Sequence, residues 1–502
     1  MSVENNRGRI RKPIAPEIVK YINDPVAKSD YATSYFTYLT INRAHVLMLE
    51  KQGIISRDVC KAILKATKEI EANPIAPDFT KDEGIEDLYT TLERRLIKMV
   101  GLEIGGQQHT ARSRNDLSAT VLRMDTRDYY LEIARLFLKF RETLIGIARQ
   151  NFDAVYSGYT HMQPSEPVTF AHYLSAVLTG LERDYRRYEA AWQGLNICPL
   201  GGGSMGSTSF DIDRPYTAKL LGFDKAMPNS IDTVAARDYA LEIATTLAMA
   251  SDTLSRLAFD LYIWATPEYG YVEVDDSCAV CSSIMPQKKN AFTLEHIKAK
   301  AGHMHGYVMA MYSCMKNIIY SHSKDTSVEA TKNLHAAMQE MECDFVLADL
   351  TLRTLTVKKD VMLDHARRNF CTVTELANYL VRHDDMSFRQ AHEIIAAVVC
   401  NMVDRGLTCA EIDRDAINEV SVKEFGIETK LTDELIREAL DPVRIAEAKK
   451  TLGGTEKNEV ARQLNVLEEQ LAKDKAVLDA RTAQLAGAKA ELDRLTDEMI
   501  AA

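Results

Sequence analysis

The distribution of proline constrains the fold of this chain more than any other feature of the sequence. None of the 13 prolines lies between Pro77 and Pro164, and none lies between Pro286 and Pro442. Proline lacks an N–H donor and its ring clashes with the preceding turn, so both stretches can hold very long helices. In the first stretch apolar side chains recur at helical intervals: Leu122, Tyr129, Ile133, Leu136, Phe137, Phe140, Leu144 and Ile147. This pattern predicts a core-facing stripe on a helix rather than a cofactor site.

The rest of the chain favours helix as well. Strand-like alternation is scarce, and residues 290–350 are rich in Ala, Met, Leu, Glu and Lys, so we predict an all-α fold. Turn-rich segments divide the chain into an N-terminal helical domain (1–105), a central helical bundle (106–360), a C-terminal helical domain (361–455) and a helical, coiled-coil-like extension (456–502).

The extension carries an apolar residue at every seventh position: Leu464, Leu471, Leu478, Leu485, Leu492 and Met499. This spacing predicts a long helix with a coiled-coil seam. The positions three residues further on include the charged Asp474 and Arg481, so the seam is interrupted midway. Two arrangements remain open, a self-paired coiled coil and a single helix laid on the body of the protein.

Composition excludes several functional classes. The net charge of -11 argues against a general nucleic-acid surface, although it is compatible with a local anion site. Because no apolar run is long enough for a membrane span and the N-terminus lacks an apolar signal core, we expect a cytoplasmic protein without a membrane partner. The nine dispersed cysteines predict reduced thiols. Cys278 and Cys281 form a lone C-x-x-C, which offers too few ligands for zinc, and we predict no metal site.

Three polar segments are candidates for chemistry, and each has a structural alternative. HTARSRND (109–116) can clamp a carboxylate near a helix start, or it can cap that helix through Ser113, Asn115 or Asp116. GYTHMQP (158–164) holds a histidine suited to proton transfer or to a structural role. The glycine-rich segment 199–209 permits close backbone approach, but it lacks the Walker pattern, which favours a tight connection between helices over a phosphate site.

Residues 282–290, SSIMPQKKN, are the most informative polar segment, which we name the Ser-Lys loop. Two serines, a Met-Pro turn, two lysines and an amide can place a base and anion-binding donors around a small carboxylate. Read in isolation, the segment is also compatible with an ordinary basic loop.

Together and in this order, HTARSRND, GYTHMQP, PLGGGSMGSTSFDIDR, NSIDTVAARD and SSIMPQKKN resemble the conserved blocks of the argininosuccinate lyase family of the fumarase/aspartase superfamily. GIEDLYTTLERRLIKMVG and GGTEKNEVARQL are similar to family segments too, so the resemblance spans roughly residues 30–465. It implies a three-domain, mostly helical homotetramer whose active sites are each built from three subunits. It also implies a reaction without a cofactor, in which a base removes a proton beside a carboxylate, an aci-carboxylate forms, and the C–N bond breaks to release fumarate and an amine.

The resemblance also implies roles for individual residues. Ser282 is the implied base, with Ser283 as its rival, while Lys288 and Asn290 hold the developing dianion. His161 assists proton transfer at the amine or orients the substrate, with Glu295 as its carboxylate partner. The implied substrate-binding residues are Ser113, Arg114, Asn115, Thr160, Arg237, Ser283, Met285, Asn290 and Tyr320.

Several positions depart from the family pattern. Cys281 and Ala291 replace a glycine and a proline that flank the Ser-Lys loop, and Tyr89 stands where a histidine is usual. Tyr38 and Asn42 replace an aspartate and a serine that hold the amino-acid part of the substrate, and with Ala291 and Tyr320 they are candidates for the amine pocket. Ser327 and Ala330 stand where glutamine and lysine bind arginine in the family.

A site built to hydrogen-bond one amine discriminates strongly against others, so these departures predict a retained fumarate half and a rebuilt amine half. The pattern resembles the aminocarboxylate lyases of the same subgroup, such as ethylenediamine-disuccinate (EDDS) lyase. We therefore favour a C–N lyase that releases fumarate from an N-substituted aspartate, or adds an amine to fumarate. The alternatives are argininosuccinate lyase, an adenylosuccinate-type lyase without an identifiable phosphate site, and a non-catalytic crystallin-like protein, against which the presence of Ser282, His161 and Lys288 argues.

Overall fold

The computed structural model describes residue 9 and residues 12–79 and 86–502. The N-terminal residues 1–8 and residues 84 and 85, which open the segment GIEDLYTTLERRLIKMVG, lie outside the described residues. Helices dominate the structure and its strands form four two-stranded sheets among the described residues, which confirms the predicted all-α class. No helix in the described part of the chain has the length and apolarity that a membrane crossing requires.

The N-terminal region is a group of helices around its own apolar core. Its helices are α1 (Pro16–Ile18), α2 (Asp24–Thr33), α3 (Tyr35–Lys51), α4 (Arg57–Ala72), α5 (Leu88–Val100) and α6 (Leu102–Gly105), with a π-helical turn at Val19–Asn23 and a 3-10 turn at Gly106–His109. Helix α4 begins where the Ser56 hydroxyl accepts from the backbone N–H of Val59, and α5 begins with a capping box of Asp87 and Thr90.

Five long helices form the central bundle: α7 (Arg114–Arg149), α8 (Phe170–Ala190), α12 (Asp238–Trp264), α13 (Phe292–Met315) and α14 (Leu334–Arg353). The short helices α9 (Trp192–Leu195), α10 (Arg214–Leu220) and α11 (Ser230–Ala235) lie in the connection between α8 and α12. The predicted stripe on α7 is confirmed, because Ile133, Phe137, Phe140 and Leu144 are fully buried. Its other four members are half-buried against the same core.

Side-chain contacts fix the directions of these helices. Tyr130 of α7 stacks on Tyr188 near the end of α8, and Phe137 contacts Tyr185, so α8 runs antiparallel to α7. The pairs Thr253–Asp184 and Tyr173–Asp260 make α12 antiparallel to α8. The pairs Asp252–His305 and Thr245–Tyr312 make α13 antiparallel to α12. The bundle therefore runs up, down, up and down, and α14 returns upward.

The bundle consequently has two poles. The lower pole contains the starts of α7 and α12, residues 199–237 and residues 316–333, which include a π-helical turn at Asp325–Glu329. The upper pole contains the ends of α7 and α12, residues 265–291, and the antiparallel strands β1 (Val155–Thr160) and β2 (Gln163–Thr169). Since α7 has 36 residues, its ends lie about 54 Å apart at 1.5 Å per residue.

Short strand pairs fasten the connections between the helices. β3 (Ile197–Cys198) pairs in parallel with β4 (Lys225–Ala226), and β5 (Val272–Glu273) pairs antiparallel with β8 (Thr356–Val357). β6 (Val280–Cys281) pairs antiparallel with β7 (Lys289–Asn290), and a 3-10 turn lies at Asp276–Cys278. The β6–β7 pair closes the Ser-Lys loop at its base.

The C-terminal region begins above the upper pole. It comprises α15 (Lys359–Arg368), α16 (Val373–Asp384), α17 (Phe388–Asp404), a 3-10 turn at Cys409–Glu411, α18 (Arg414–Phe425), α19 (Asp433–Ala439) and α20 (Pro442–Ala448). Buried apolar residues between positions 376 and 439 form a core of their own. This core is separate from the cluster that fills the bundle.

The extension is one helix, α21 (Lys457–Ala501), which lies on the body of its own chain. Its buried side chains include Leu464, Leu467, Leu471, Leu478 and Leu492. Arg149 of α7 binds Asn465, and Arg141 binds Asp474, so α21 descends antiparallel to α7 and continues to α3 and α4. Of the two arrangements left open by the sequence, the structure shows the helix laid on the protein.

Candidate active site

The start of α7 shows how the segment 109–116 is held. The Ser113 hydroxyl accepts from the N–H of Asn115 at 3.3 Å, and the Asp116 carboxylate accepts from the N–H of Ser113 at 2.9 Å. This arrangement is a capping box. Ser113 and Asp116 therefore have the structural role that was the alternative to carboxylate binding.

Asp116 also joins this helix start to the glycine-rich segment. It is fully buried, and its second oxygen accepts from the N–H groups of Gly201 and Gly203 at 2.8 and 2.9 Å. Burial raises the pKa of Asp116, and the backbone donors oppose that rise. A side chain at Gly202 would place its Cβ 1.9 Å from Thr233 Oγ1, so this glycine is required for close packing on α11. The glycine-rich segment thus acts as a connection between helices, as favoured above.

Arg114 and Asn115 project from the first turn of α7. Arg114 Nη1 donates to Glu86 at 2.9 Å and to Asp87 at 3.3 Å, while Asn115 Nδ2 donates to the carbonyl of Ser204 at 3.1 Å. Both side chains remain partly open to solvent. They can turn toward a carboxylate without disturbing the cap beneath them.

Arg237 and Tyr320 belong to the same pole. Tyr320 is 74% exposed and its hydroxyl donates to Asp232 of α11 at 2.7 Å. Arg237 precedes α12 and is buried, which lowers the pKa of its guanidinium. Its Nη1 donates to the carbonyl of Ala236 at 2.7 Å, and its Nε has no hydrogen-bond partner among the described residues. The lower pole therefore gathers Ser113, Arg114, Asn115, Arg237 and Tyr320.

Tyr38, Asn42 and Tyr89 lie inside the N-terminal region. Asn42 is buried and its oxygen accepts from Arg112 Nη2 at 2.7 Å. Tyr38 is 6% exposed, and burial raises the pKa of its phenol well above the usual value. The Tyr89 hydroxyl donates to Glu93 at 2.7 Å. In the isolated chain, the two amine-pocket candidates of α3 are core residues rather than the lining of an open pocket.

Thr160 and His161 lie at the tip of the β1–β2 hairpin at the upper pole. Thr160 pairs with Gln163, which leaves His161 and Met162 as a two-residue turn. Both have positive φ, 53° and 59°, as the type I′ turn requires. Non-glycine residues pay a conformational cost there, and the turn presents the imidazole to solvent on a defined scaffold. This histidine is exposed, as is Thr160.

The Ser-Lys loop surrounds the Ser282 hydroxyl with donors. Ser282 Oγ accepts from the N–H groups of Ile284 at 3.3 Å and Met285 at 3.0 Å. The loop is closed by bonds from Ser282 N to the Lys288 carbonyl and from Lys288 N to the Met285 carbonyl. Hydrogen bonds to an oxygen favour its anionic form, so the local backbone supports an alkoxide at Ser282. Ser283 lies in the exposed part of the same loop.

The two lysines of the loop have different partners. Lys289 Nζ lies 2.6 Å from Asp276 and 3.3 Å from Glu273. Lys288 is exposed and forms no ion pair within the described part of the chain. Lys288 is therefore the ammonium available to an anionic substrate. Asn290 follows in β7, and Glu295 accepts from the Tyr262 hydroxyl at 3.2 Å in the first turn of α13.

The two cysteines of the C-x-x-C have different surroundings. Cys278 is buried, with its sulfur 3.8 Å from Thr354 Oγ1, and Cys281 is exposed in β6. Among the described residues, no group of three or more His, Cys, Asp or Glu side chains is arranged to hold a metal ion.

The predicted site residues are thus divided between the two poles of one chain. Arg114 and Asn115 begin α7, whereas the hairpin with His161 follows its far end, about 54 Å away. Tyr320 is likewise separated from Glu295 by most of the 24-residue α13, which is about 36 Å long. One small substrate cannot span these distances, so residues of both poles can meet only when different chains associate.

The sequence did not indicate three of the contacts that support the lower pole. These are the bonds from Arg114 to Glu86 and Asp87, the bond from Arg112 to Asn42, and the bonds from the glycine-rich segment to Asp116. The capping-box spacing of Ser113 and Asp116 is visible in the sequence. The other partners are distant along the chain and carry no local signal.

Comparison with known proteins identifies the fold and the family. A family model described as lyase matches residues 32–306, and one described as argininosuccinate lyase C-terminal matches residues 370–447. The chain is 45% identical over 468 residues to argininosuccinate lyase 1 of Shouchella clausii (strain KSM-K16), covering 93% of this chain and 94% of that protein. It is 33% identical over 465 residues to argininosuccinate lyase of Methanosarcina barkeri (strain Fusaro / DSM 804), covering 93% and 92%.

Two solved structures are similar to this chain over nearly its whole length. The crystal structure of EDDS lyase in complex with formate superposes with a TM-score of 0.87 at 31% identity, covering 99% of this chain and 98% of that one. A double variant of EDDS lyase with bound fumarate also gives a TM-score of 0.87, at 30% identity and 100% and 99% coverage. The sequence relatives and the structural relatives thus carry names for two different amine substrates.

Proposed function

Because this chain belongs to the argininosuccinate lyase family of the fumarase/aspartase superfamily, and is a C–N lyase that releases fumarate, we propose that its substrate is argininosuccinate, which it cleaves to fumarate and arginine. The 45% identity to argininosuccinate lyase 1 over nearly the whole of both chains carries this proposal. The positions that depart from the family pattern, taken alone, favoured an amine other than arginine. This identity to an argininosuccinate lyase outweighs them.

In the proposed reaction the Ser-Lys loop supplies the base. Ser282 Oγ, supported by the N–H groups of Ile284 and Met285, takes the proton from the carbon beside a succinyl carboxylate. The electron pair moves into that carboxylate and forms an aci-carboxylate dianion, next to the free ammonium of Lys288. The pair then returns to form the C=C bond of fumarate as the C–N bond breaks, and the amine leaves with a proton delivered from the His161 side.

The succinyl carboxylates are bound in this proposal by residues of both poles. Arg114 and Asn115 offer donors from the lower pole, and Thr160, Met285 and Asn290 line the site from the upper pole. The roles of Ser113, Arg237, Ser283 and Glu295 are likewise proposals. Arg237 is buried and Ser113 caps α7, so these two act on the substrate only if the site rearranges.

We propose a homotetramer, the assembly that the family resemblance implies, and association is required because the two poles of one chain are too far apart to form a site. The outer faces of the bundle helices expose large apolar side chains, including Phe259, Met309, Tyr312 and Val346. Exposed apolar surface on long helices is typical of an interface between subunits. All nine cysteines are free, which supports the cytoplasm as the proposed compartment.

A second candidate is cleavage of an aminocarboxylate, an N-substituted aspartate whose amine is not arginine. The segment 316–333 favours this second candidate, because the small residues Ser327 and Ala330 stand where the family pattern has the glutamine and lysine that bind arginine. Ala330 is 1% exposed, and Ser327 Oγ has no hydrogen-bond partner among the described residues. The exposed Tyr320 beside Asp232 offers a different set of groups. The similarity to EDDS lyase structures supports the same candidate.

The reverse reaction separates the two candidates. Purified protein is incubated with fumarate and arginine, ethylenediamine or simple diamines, and N-substituted aspartates are detected by mass. Formation of argininosuccinate alone supports the first candidate, and an adduct with ethylenediamine but not arginine supports the second. The Ser282→Ala variant is the matched control, because any adduct that it forms equally fast is not made at this site. Absence of every adduct would contradict the first candidate and would leave an untested amine or the non-catalytic alternative.

A further inference from the structure

The last turns of α21 are joined to the N-terminal region by an ion pair between a buried arginine and a carboxylate whose side chain is 39% exposed. Arg43 of α3 is 2% exposed, and its Nη1 lies 2.5 Å from Asp493 Oδ1. The carboxylate of Glu71 is more distant from this guanidinium, at 3.8 Å. Leu492, the neighbour of Asp493, is fully buried in the same apolar cluster as α3. Asp493 is therefore the main counter-charge of a cation that the fold has removed from water.

The residues beside Arg43 on α3 hold the segment that leads into α7. Asn42 accepts from Arg112 Nη2 at 2.7 Å, and His45 Nε2 lies 2.8 Å from the carbonyl of Thr110. Both bonds involve buried side chains. Segment 109–112 is thus fixed to α3 immediately before Ser113 caps the helix that carries Arg114 and Asn115.

We propose that Asp493 is a positioning residue, which fixes α3 through Arg43 and thereby aligns Arg114 and Asn115 for the succinyl carboxylates. This inference rests on the proposed function, since it assigns carboxylate binding to that helix start. Asp493 touches neither segment 109–116 nor a substrate, and it acts through one ion pair and one helix. The end of the heptad extension is thereby linked to the proposed carboxylate-binding residues through α3.

The remaining contacts of α21 make this effect separable from the attachment of the helix. Asp474 binds Arg141 of α7 at 2.6 Å, Arg481 binds Glu189 and lies over the Trp192 ring, and Gln484 Nε2 donates to Asp224 at 2.9 Å. Loss of the Asp493 carboxylate leaves these contacts in place. Helix α21 should stay bound while α3 loses its fixed counter-charge.

The test compares Asp493→Asn with Asp493→Glu and with Arg494→Gln in the full chain. Arg494 is the matched control, because it is exposed and pairs only with Glu491 and Glu498 of its own helix among the described residues. We expect Asp493→Asn to raise KM for the N-substituted aspartate about tenfold, with kcat within about threefold, because binding rather than the base is affected. Asp493→Glu should recover part of the loss, and Arg494→Gln should match the native protein.

Hydrogen exchange provides a readout that does not depend on the substrate. Amides of residues 109–116 should exchange faster in Asp493→Asn than in Arg494→Gln, while amides of α21 around Asp474 stay protected. Native KM together with native exchange in Asp493→Asn overturns the inference. If that variant does not fold, Asp493→Ser, which also removes the carboxylate, takes its place in both measurements. If the native protein has no lyase activity with any amine, the proposed function fails, and the exchange experiment still tests the link to α3.

Discussion

Two adjacent serines of the Ser-Lys loop have different surroundings, and this difference favours Ser282 over Ser283 as the proposed base. Ser282 Oγ accepts two backbone N–H groups, and Ser283 lies in the exposed part of the loop. We predict that Ser282→Ala lowers kcat by about 10²- to 10⁴-fold, the usual contribution of a general base. Ser283→Ala should lower kcat much less. Steady-state kinetics measures both effects, and Tm should be unchanged in both because a partly exposed hydroxyl contributes little to folding. Near-native turnover of Ser282→Ala would remove the serine from its role as base.

A second residue-scale prediction concerns a buried carboxylate in the bundle. Asp344 of α14 is fully buried, its Oδ2 accepts from the Ser251 hydroxyl at 3.4 Å, and its Oδ1 has no partner among the described residues. Burial raises the pKa of Asp344 to about 8, against the lowering influence of Lys300. The Asp344 carboxyl of the folded protein therefore stays protonated at pH values where the same carboxyl of the unfolded chain is ionised.

The sign of the pH dependence follows from that proton. The stability contributed by protonated Asp344 is fully present below the unfolded pKa near 4, and it is lost as the pH rises through the folded pKa of about 8. Asn cannot ionise, so the Tm of Asp344→Asn relative to the native protein should rise between pH 5 and pH 9. Thermal melts at both pH values check this. A Tm difference that is constant over the range would show that Asp344 does not change its charge there.

At the scale of the element, α21 should act through intramolecular packing. Leu471 is 4% exposed within the cluster that fills the bundle, whereas Val477 on the same helix is 41% exposed. We predict that Leu471→Ala lowers the free energy of unfolding by about 2–5 kcal/mol, because it leaves a cavity in a packed core. Val477→Ala, the matched control, should have little effect. Denaturant unfolding gives both values.

The same pair of variants distinguishes intramolecular packing from a self-paired coiled coil. The mass of the assembly should be unchanged in Leu471→Ala if the heptad stripe faces the body of its own chain. A smaller assembly, with the protomer otherwise as stable as the native one, would instead indicate that the stripe joins subunits.

The heptad spacing predicted α21 as a helix, but it could not predict which surface the helix covers. The heptad pattern predicts one apolar face on the helix, but it does not predict the surface against which that face packs. The charged Asp474 and Arg481, which weaken a coiled-coil seam, are the residues that bind Arg141 and Glu189 of the bundle. Their partners are more than 250 positions away in the chain, so no local pattern reveals them.

The upper-pole hairpin shows another limit of local pattern. Pro164 and Pro167 argue against a strand because proline cannot donate to a ladder. Both lie in β2, which has only one neighbouring strand and therefore does not need every N–H. The order of the polar segments indicated the candidate site, because it follows the family pattern. The sequence could not predict that these polar segments lie at opposite poles, because their positions depend on the lengths and directions of the bundle helices.

At the scale of the whole molecule, the division between poles determines what an active assembly must contain. Arg114 and Ser282 of one chain cannot contribute to the same site, since α7 alone separates the poles by about 54 Å. In the proposed assembly, each site takes its lower-pole residues from one subunit and its Ser-Lys loop from another. Two inactive variants with defects at opposite poles can then repair each other in a mixed assembly.

We predict that Arg114→Ala and Ser282→Ala, each nearly inactive alone, recover activity when co-expressed or refolded together. In a random equal mixture, a site takes an intact Arg114 from one subunit and an intact Ser282 from another in about one quarter of cases, so activity should approach about 25% of the native value. Arg114→Ala mixed with Asn115→Ala is the matched control. Both of those residues come from the same subunit in any site, so no mixture restores the pair. Equal, negligible activity in both mixtures, with mixed assemblies present, would contradict the proposal that each site combines residues of two subunits.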